Sequence, residues 1–183
     1  MPITTETAPL FTHAFFLPSG SAFTSPGAGT ASASSKPDGD EATWLTTGNL
    51  GDVEEFKITP VAETFEKMAG RPGTLVRVDE VLLSQKIDLS WKSQDLTPYT
   101  HQLIFGTLGL TGASNQGNPL EGSLLVKGWL KFEAYNAANR RVTGDLWVSL
   151  KAKSAEPWSG KNIVQVEFEA HVLHSTLNTL KFE

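Results

Sequence analysis

The stretch that decides the fold is VQVEFEAHV, residues 164–172. Apolar and polar side chains alternate strictly along it, which is the period of a β-strand with one buried face and one wet face. Two upstream stretches alternate in the same way: LLVKGWLKFE, residues 124–133, and VTGDLWVSL, residues 142–150. The sequence therefore predicts three amphipathic antiparallel strands in this half of the chain.

One helix is predicted before these strands, in TPYTHQLIFG, residues 97–106. Thr97 is a suitable N-cap, Pro98 takes the first helical position and Gly106 provides the stop. Tyr99 and Leu103 are four residues apart, so both should face the sheet. The fold class expected from these patterns is mainly β with one short α-helix.

The strand patterns of the N-terminal half are less regular. A strand is expected over residues 50–58, LGDVEEFKI, and Pro60 is expected to interrupt it. The pattern over residues 62–68 leaves helix and strand both open. Alternation returns over residues 75–91, but its phase shifts near Leu82 and Leu83, which predicts a bulge or a sharp bend.

Two segments before Trp44 differ in character. Residues 10–17, LFTHAFFL, predict a short strand or docking arm that Pro18 ends. Residues 19–43 are almost entirely small residues, proline and acids, so their composition predicts a flexible loop or insertion. Such a long loop either binds a neighbouring subunit or is a tolerated surface insertion.

Composition excludes several classes of protein. A length of 183 residues suits one domain spanning residues 1–183, and the lack of cysteine excludes disulfides and thiolate chemistry. The first residues lack the pattern of a secretory signal, and no apolar run is long enough to cross a bilayer. The net charge of −5, without a basic cluster, argues against tight duplex binding.

Catalysis and metal binding are weakly indicated. Glu167, Glu169 and His171 share a strand face and could imitate a ligand set, and the two carboxylates would lie about 7 Å apart, near the spacing of a glycosidase pair. Polar residues at alternate strand positions are nevertheless the ordinary pattern of a solvated face. No catalytic motif accompanies them, so we expect no enzyme, cofactor or metal.

Large aromatic residues are the candidates for a subunit interface. Trp129 and Trp147 fall on the otherwise polar faces of their strands, where large aromatics often mark contacts between subunits. Alternatively, the chain itself covers both faces of the sheet. The candidates in the N-terminal strand or arm, residues 1–18, are Phe11, Phe15 and Phe16.

Between Trp44 and Leu110 the chain resembles the tail tube proteins of long-tailed bacteriophages. Four features carry the resemblance in order. They are Trp44 followed by Leu50, Gly51, Asp52 and Val53; the strand with Phe56 and Ile58; the bent stretch VRVDEVLLSQKIDLSW, residues 76–91; and the passage KSQDLTPYTHQLIFG, residues 92–106, into a helix ending at Gly106. The small-residue insertion at 19–43 departs from the family pattern.

The resemblance implies a β-sandwich or half-barrel flanked by one helix, whose copies form hexameric rings that stack into a tube. Strands of all copies would join one barrel around a lumen, and loops and the N-terminal arm would hold successive rings together. Viral DNA would pass through without specific binding. The implied partners are further copies of the chain and the tape measure, terminator and baseplate or tip proteins of the virion tail, assembled in the bacterial cytoplasm.

Acidic residues are the candidates for the lumen wall. Six copies of a chain with net charge −5 carry −30 per ring, and carboxylates repel phosphates. The face with Gln165, Glu167 and Glu169 is the first candidate, with Asp145 on the neighbouring strand; the same face could instead be an outer solvated surface.

Two alternatives stay open at this point. A non-catalytic β-sandwich binding module would use Trp129 and Trp147 as its platform and would be a monomer. A related ring-forming tail component, such as a terminator or baseplate protein, or a secretion-system tube protein would form rings.

Overall fold

The computed structural model describes residues 9–39, 41–71, 74–95, 97–107, 122–136, 141–155 and 165–182. Nine strands and two helices lie in these ranges. In chain order they are β1 (Pro9–Pro18), β2 (Ala22–Phe23), β3 (Gly29–Thr30), α1 (Ala42–Leu45), β4 (Asn49–Arg71), β5 (Thr74–Ser93), α2 (Pro98–Phe105), β6 (Val126–Asn136), β7 (Arg141–Ala155), β8 (Val166–Val172) and β9 (Thr179–Phe182).

Seven strands form one antiparallel sheet in the order β6, β1, β4, β5, β8, β7 and β9. An additional pairing of β6 with β7 closes six of these strands into a ring, and β9 pairs with the first residues of β7. The predicted mainly β fold is confirmed, as are the antiparallel pairings among β6, β7 and β8. Ring closure lets the inward side chains of opposite strands share one core.

Alternation along the strands fills that core. Along β8, Val166, Phe168 and Ala170 are buried, whereas the intervening side chains reach the surface. Trp91 of β5 stacks against Phe168 with ring centroids 5.6 Å apart. The inward face is therefore the apolar face that the alternation predicts.

Helix α2 matches its prediction at both ends. The Thr97 hydroxyl accepts a hydrogen bond from the Thr100 backbone N–H at 3.1 Å, and Gly106 ends the helix with φ 64°. That left-handed conformation favours glycine, which lacks the Cβ that would clash. The core that contains Leu89, Trp91 and Phe168 is called the main core below. Tyr99 and Leu103 both belong to it or pack against it, so the predicted helix face is confirmed.

Strand β4 is much longer than the sequence suggested, whereas β5 closely matches the predicted residues 75–91. The expectation that Pro60 interrupts the strand is wrong, because β4 continues through Pro60 to Arg71 and residues 62–68 are strand. The predicted bulge is confirmed: Glu63 lies opposite Ser84 and Thr64 lies opposite Leu82, which leaves Leu83 without a partner in the ladder.

The expected turns lie wholly or largely outside the described residues. These are the turn around Pro72 and Gly73, the glycine-rich loop at 112–122, the link at 136–141 and the link around Pro157 and Gly160. Among the described residues, no helix is both long and apolar enough to cross a membrane.

Candidate self-association surfaces

The two candidate interface tryptophans lie inside the chain. Trp129 is fully buried and Trp147 nearly so, and their rings meet edge to face with centroids 5.4 Å apart. A separate hydrophobic cluster, called the second core below, surrounds them and also contains Phe23, Ala31 and Trp44. The prediction that these tryptophans form a subunit interface is therefore corrected: the chain covers both faces of the sheet here, and the aromatic platform of the binding-module alternative is buried.

The cover is residues 19–39, called the cover segment below. The Trp129 indole N–H donates to the carbonyl oxygens of Ser32 and Ser35 at 2.9 and 3.0 Å. The Ser175 hydroxyl donates to the Ala33 carbonyl at 2.7 Å from the other side. The flexible loop predicted for residues 19–43 is therefore wrong: small residues let the backbone approach the indole rings closely, and its polar groups find partners there.

A buried carboxylate at Glu41 holds the start of the cover segment. Its side chain accepts hydrogen bonds from the backbone N–H groups of Ser25 at 2.7 Å and Thr24 at 3.0 Å. The Ser25 hydrogen bond is the main reason that the pKa of Glu41 is lowered, and the Thr24 hydrogen bond adds to it against desolvation. The ionised carboxylate therefore stabilises this chain path.

The candidate phenylalanines of β1 also belong to the chain's own interior. Phe15 is buried in the second core and Phe16 in the main core, because successive residues of a strand point to opposite faces. The backbone of Phe11 pairs opposite Tyr135 in β6, and the Phe11 side chain lies outside the described set. The interface prediction for Phe15 and Phe16 is corrected, since β1 is a strand between β6 and β4.

The outward sides of β4, β5, β8 and β7 form a polar face, and three of the lumen candidates lie on it or at its start. Gln165, immediately before β8, donates to Glu54 at 3.0 Å. Glu167 and Glu169 alternate with the buried residues of β8. The structure therefore brings Gln165, Glu167 and Glu169 together on one accessible surface.

Lysines accompany these carboxylates. Lys153 contacts Glu167 at 2.8 Å and Lys151 contacts Glu169 at 3.2 Å. The hydrogen bond from Lys153 is the largest cause that lowers the pKa of Glu167, and the same bond raises the pKa of Lys153. The predicted wall of carboxylates is thus corrected to a face on which acidic and basic side chains are paired.

Asp145 does not belong to the accessible part of this face. Its carboxylate contacts Lys36 of the cover segment at 2.8 Å, and only 17% of its side chain is exposed. The cover segment extends over the first half of β7, so Asp145 lies beneath it. The prediction that Asp145 lines a lumen beside Glu167 is corrected for that reason.

Metal binding finds no support in the described part of the chain, which contains no group of three or more histidine, aspartate or glutamate residues arranged to hold an ion. His171, the third member of the imitated ligand set, contacts Asp88 at 2.7 Å and Glu169 at 3.7 Å. Asp88 is the cross-strand neighbour of His171 on β5, and Glu169 lies two residues before it on the same side of β8, so both contacts occur where polar side chains of a sheet ordinarily meet.

The sequence patterns did not predict the most exposed apolar feature among the described residues, which is the far part of the β4–β5 hairpin. We call residues 59–71 and 74–87 the arm. Among the described residues, the strands of the arm pair only with each other, since the pairing of β4 with β1 ends at Asp52 and that of β5 with β8 begins at Asp88. At about 3.3 Å per residue, the arm extends roughly 40 Å.

Both sides of the arm carry exposed apolar side chains. Ile87 shares the parity of the core residue Leu89, and Phe65 lies on the opposite side, 58% exposed, across from Val81. Such a surface is unusual on a monomer in water. The exposed large hydrophobic residues of the arm are Val61, Phe65, Met68, Val81, Leu82, Leu83 and Ile87.

Five charged side chains of the arm are paired among themselves. Lys86 contacts Glu63 at 3.4 Å, and Arg77 contacts Glu66 at 3.0 Å and also Glu80. Hydroxyl groups assist, because Ser84 donates to Glu63 and Thr64 donates to Glu80, and these bonds are the largest causes that lower the pKa of each carboxyl. The internal pairing reduces the cost of bringing the arm against another apolar surface.

No model of a protein family matches the chain, and no curated protein matches it.

Proposed function

We propose that this chain is a structural subunit of a phage tail tube, in which hexameric rings stack around a lumen that conducts the viral genome into the host. The observation that carries the proposal is the arm. A two-stranded hairpin is at best marginally stable alone in water, and this one exposes apolar side chains on both sides. A second copy of the chain that covers the arm resolves both difficulties.

The sequence resemblance and the fold give this self-association its form. The resemblance over Trp44–Leu110 implies rings, and a ring of identical subunits closes exposed edges without an open end. Two apolar sides on one arm suit a subunit that has neighbours on both sides. The tape measure, terminator and baseplate or tip proteins would be the further partners in the virion tail.

The polar face supports a role as the lumen wall. DNA slides along a surface that offers its phosphates no free cations. Lys151 and Lys153 are held by Glu169 and Glu167, and Lys92 by Glu55, so these three basic side chains of the face are already compensated. The pairing of charges, rather than an excess of acid, would keep the passing genome from binding.

Negative-stain electron microscopy of the purified protein tests the proposal. We expect tubes of uniform width at high protein concentration. The double substitution Phe65→Ser and Leu82→Ser should abolish them, since each buried apolar side chain contributes about 1.5–3 kcal/mol. The matched control is Leu180→Ser, because Leu180 is similarly exposed, at 54%, but lies on β9 far from the arm in the strand order.

The outcomes separate the classes of protein. Isolated rings without tubes would instead support a related ring-forming tail component. A wild-type protein that stays monomeric at high concentration in sedimentation experiments would contradict self-assembly and leave a binding module as the better explanation.

A further inference from the structure

A cleft lies where residues of α1 and α2 meet the end of β1 and the start of β6. Its volume is about 480 Å³, which is within the range of clefts that bind ligands. Its walls are largely apolar, because Leu17 and Pro18 of β1, Leu125 and Val126 at the start of β6, and Tyr99 of α2 all line it. The cleft can therefore hold a large apolar side chain.

A second hollow adjoins this cleft. It has a volume of about 400 Å³, and Thr47, Tyr99 and Gln102 line both hollows. Asn49 and Thr97 belong to the rest of its lining, so the second hollow is more polar than the first. We call the two hollows together the groove. An extended chain can fill both parts of the groove, whereas a compact small molecule fills only one.

Hydrogen bonds between separate elements hold the walls of the groove in place. The Tyr99 hydroxyl donates to the Phe16 carbonyl at 2.9 Å, which joins α2 to β1. The Phe16 backbone N–H donates to the Gly48 carbonyl at 2.7 Å, which joins β1 to the turn after α1. A groove that is formed before its ligand arrives loses less conformational freedom on binding.

Four polar side chains of the groove have unused hydrogen-bonding capacity. They are the hydroxyls of Ser21 and Thr47, the carboxamide of Gln102 and the ammonium group of Lys127, none of which makes a hydrogen bond or ion pair with a described residue. Carboxamides and hydroxyls both donate and accept, as the peptide backbone does. Lys127 is the one charged residue among the described residues that line the groove. The groove therefore suits a backbone together with one negative charge.

We propose that the groove binds an extended peptide of a partner protein, in which an acidic residue lies beside a large apolar one. The apolar side chain enters between Pro18, Tyr99 and Leu125, and the acidic side chain pairs with Lys127. Gln102 binds the peptide backbone. In this kind of recognition, backbone hydrogen bonds provide affinity and side-chain pockets provide specificity. The inference goes beyond the proposed function, because it requires no contact between copies of the chain.

Selection from a bead-displayed library of random decapeptides, sorted with the labelled full-length chain, tests the proposal. Enriched sequences should share a large apolar residue beside aspartate or glutamate. Lys127→Glu should instead enrich lysine or arginine at that position, because like charges would otherwise meet. A purely structural role of Lys127 would weaken binding without changing this preference. The absence of any enriched sequence, or the same acidic preference in both proteins, would overturn the proposal.

Fluorescence anisotropy with one enriched peptide measures the individual contacts. Lys127→Glu should weaken binding about tenfold and Gln102→Ala about fivefold, because each removes a hydrogen-bonding group. Replacing the acidic residue of the peptide by lysine should restore binding to Lys127→Glu. Lys181→Glu is the matched control, since Lys181 is an exposed lysine on β9. An equal loss in the control would show that net charge, rather than the groove, determines binding.

Sedimentation distinguishes a partner peptide from a second copy of the chain as the occupant. Lys127→Glu and Gln102→Ala should associate at the same concentration as the wild type. If both variants weakened self-association, the groove would be a contact between copies, and the peptide assignment would be overturned while the proposed function stood. Circular dichroism reports whether each variant is folded. If Lys127→Glu is not, Lys127→Gln replaces it and should lose the preference for acidic peptides.

Discussion

The Trp129 indole N–H donates to two backbone carbonyls of the cover segment, and the Trp129 ring meets the Trp147 ring edge to face 5.4 Å away. One side chain thus joins the sheet, its neighbouring strand and the segment that covers them. Both apolar contact and satisfaction of buried polar groups depend on it. The second core should therefore be the first part of the protein to unfold when Trp129 is replaced.

Replacing Trp129 by alanine should lower the free energy of unfolding by about 3–5 kcal/mol, because it leaves a large cavity and removes the indole donor from the carbonyls of Ser32 and Ser35, which then keep only their backbone hydrogen bonds to each other. Chemical denaturation followed by circular dichroism measures the loss. Leu180→Ala is the control and should change stability by less than about 1 kcal/mol, since that side chain is 54% exposed. A similar loss for both variants would argue against the second core described here.

Acid should loosen the cover segment through Glu41. Its pKa is lowered from the ordinary value of 4.5, so its stabilising effect is present above about pH 4.5 and disappears as the pH falls through the folded pKa. Glu41→Gln should be less stable than the wild type at pH 7, and the difference should narrow below pH 4.5. Denaturation midpoints of both proteins over a pH series measure this, and a constant difference would contradict it.

Proteolysis gives a second readout of the same change. Phe23 lies in the cover segment, is buried and is followed by Thr24, so chymotrypsin should cut after it slowly in the wild type. Cutting should accelerate in Glu41→Gln at pH 7. Equal rates in the two proteins would indicate that Glu41 does not hold the segment.

The strand pattern of the C-terminal half was predictable because local alternation decides it. Residues 166–172 alternate without interruption, and the capping residues of α2 act within one turn of the helix. The bulge at Leu83 was also predictable, because a shift in the phase of the apolar alternation requires an extra residue in one of two paired strands. These features depend on neighbours in sequence.

The cover segment and the arm were not predictable by the same route. Composition cannot show that Ser32 and Ser35 supply carbonyls to an indole 94 or more residues away. Pro60 suggested a break in the strand. In the described residues, however, β4 has no partner strand at Pro60 on the side of β1, so the backbone N–H that proline lacks costs little there. The feature of the sequence that could have indicated the arm is the similar length of the two apolar stretches, one before Pro72 and one after Gly73.

The polar face should bind DNA only when its pairing is broken. Replacing Glu167 and Glu169 by lysine frees Lys151 and Lys153 and adds two cations, so the assembled or monomeric variant should bind duplex DNA. We expect at least tenfold tighter binding than for the wild type, decreasing steeply with salt. Glu63→Lys with Glu66→Lys on the arm is the control of equal charge, and equally tight binding by it would point to net charge rather than to this face.

Gly128 should tolerate alanine worse than any exposed glycine. A Cβ there would meet the Leu17 carbonyl oxygen and, at 2.7 Å, the Phe16 ring. Because β1 and β6 are paired at this point, the backbone cannot withdraw without breaking the ladder. Gly128→Ala should lower the free energy of unfolding by about 1–3 kcal/mol, as other overpacked sites do. At Gly70 an added Cβ would have no neighbouring atom within 4 Å, so the same change should be nearly neutral. Thermal melting of the two variants compares them, and equal midpoints would show that β1 and β6 separate more easily than their pairing implies.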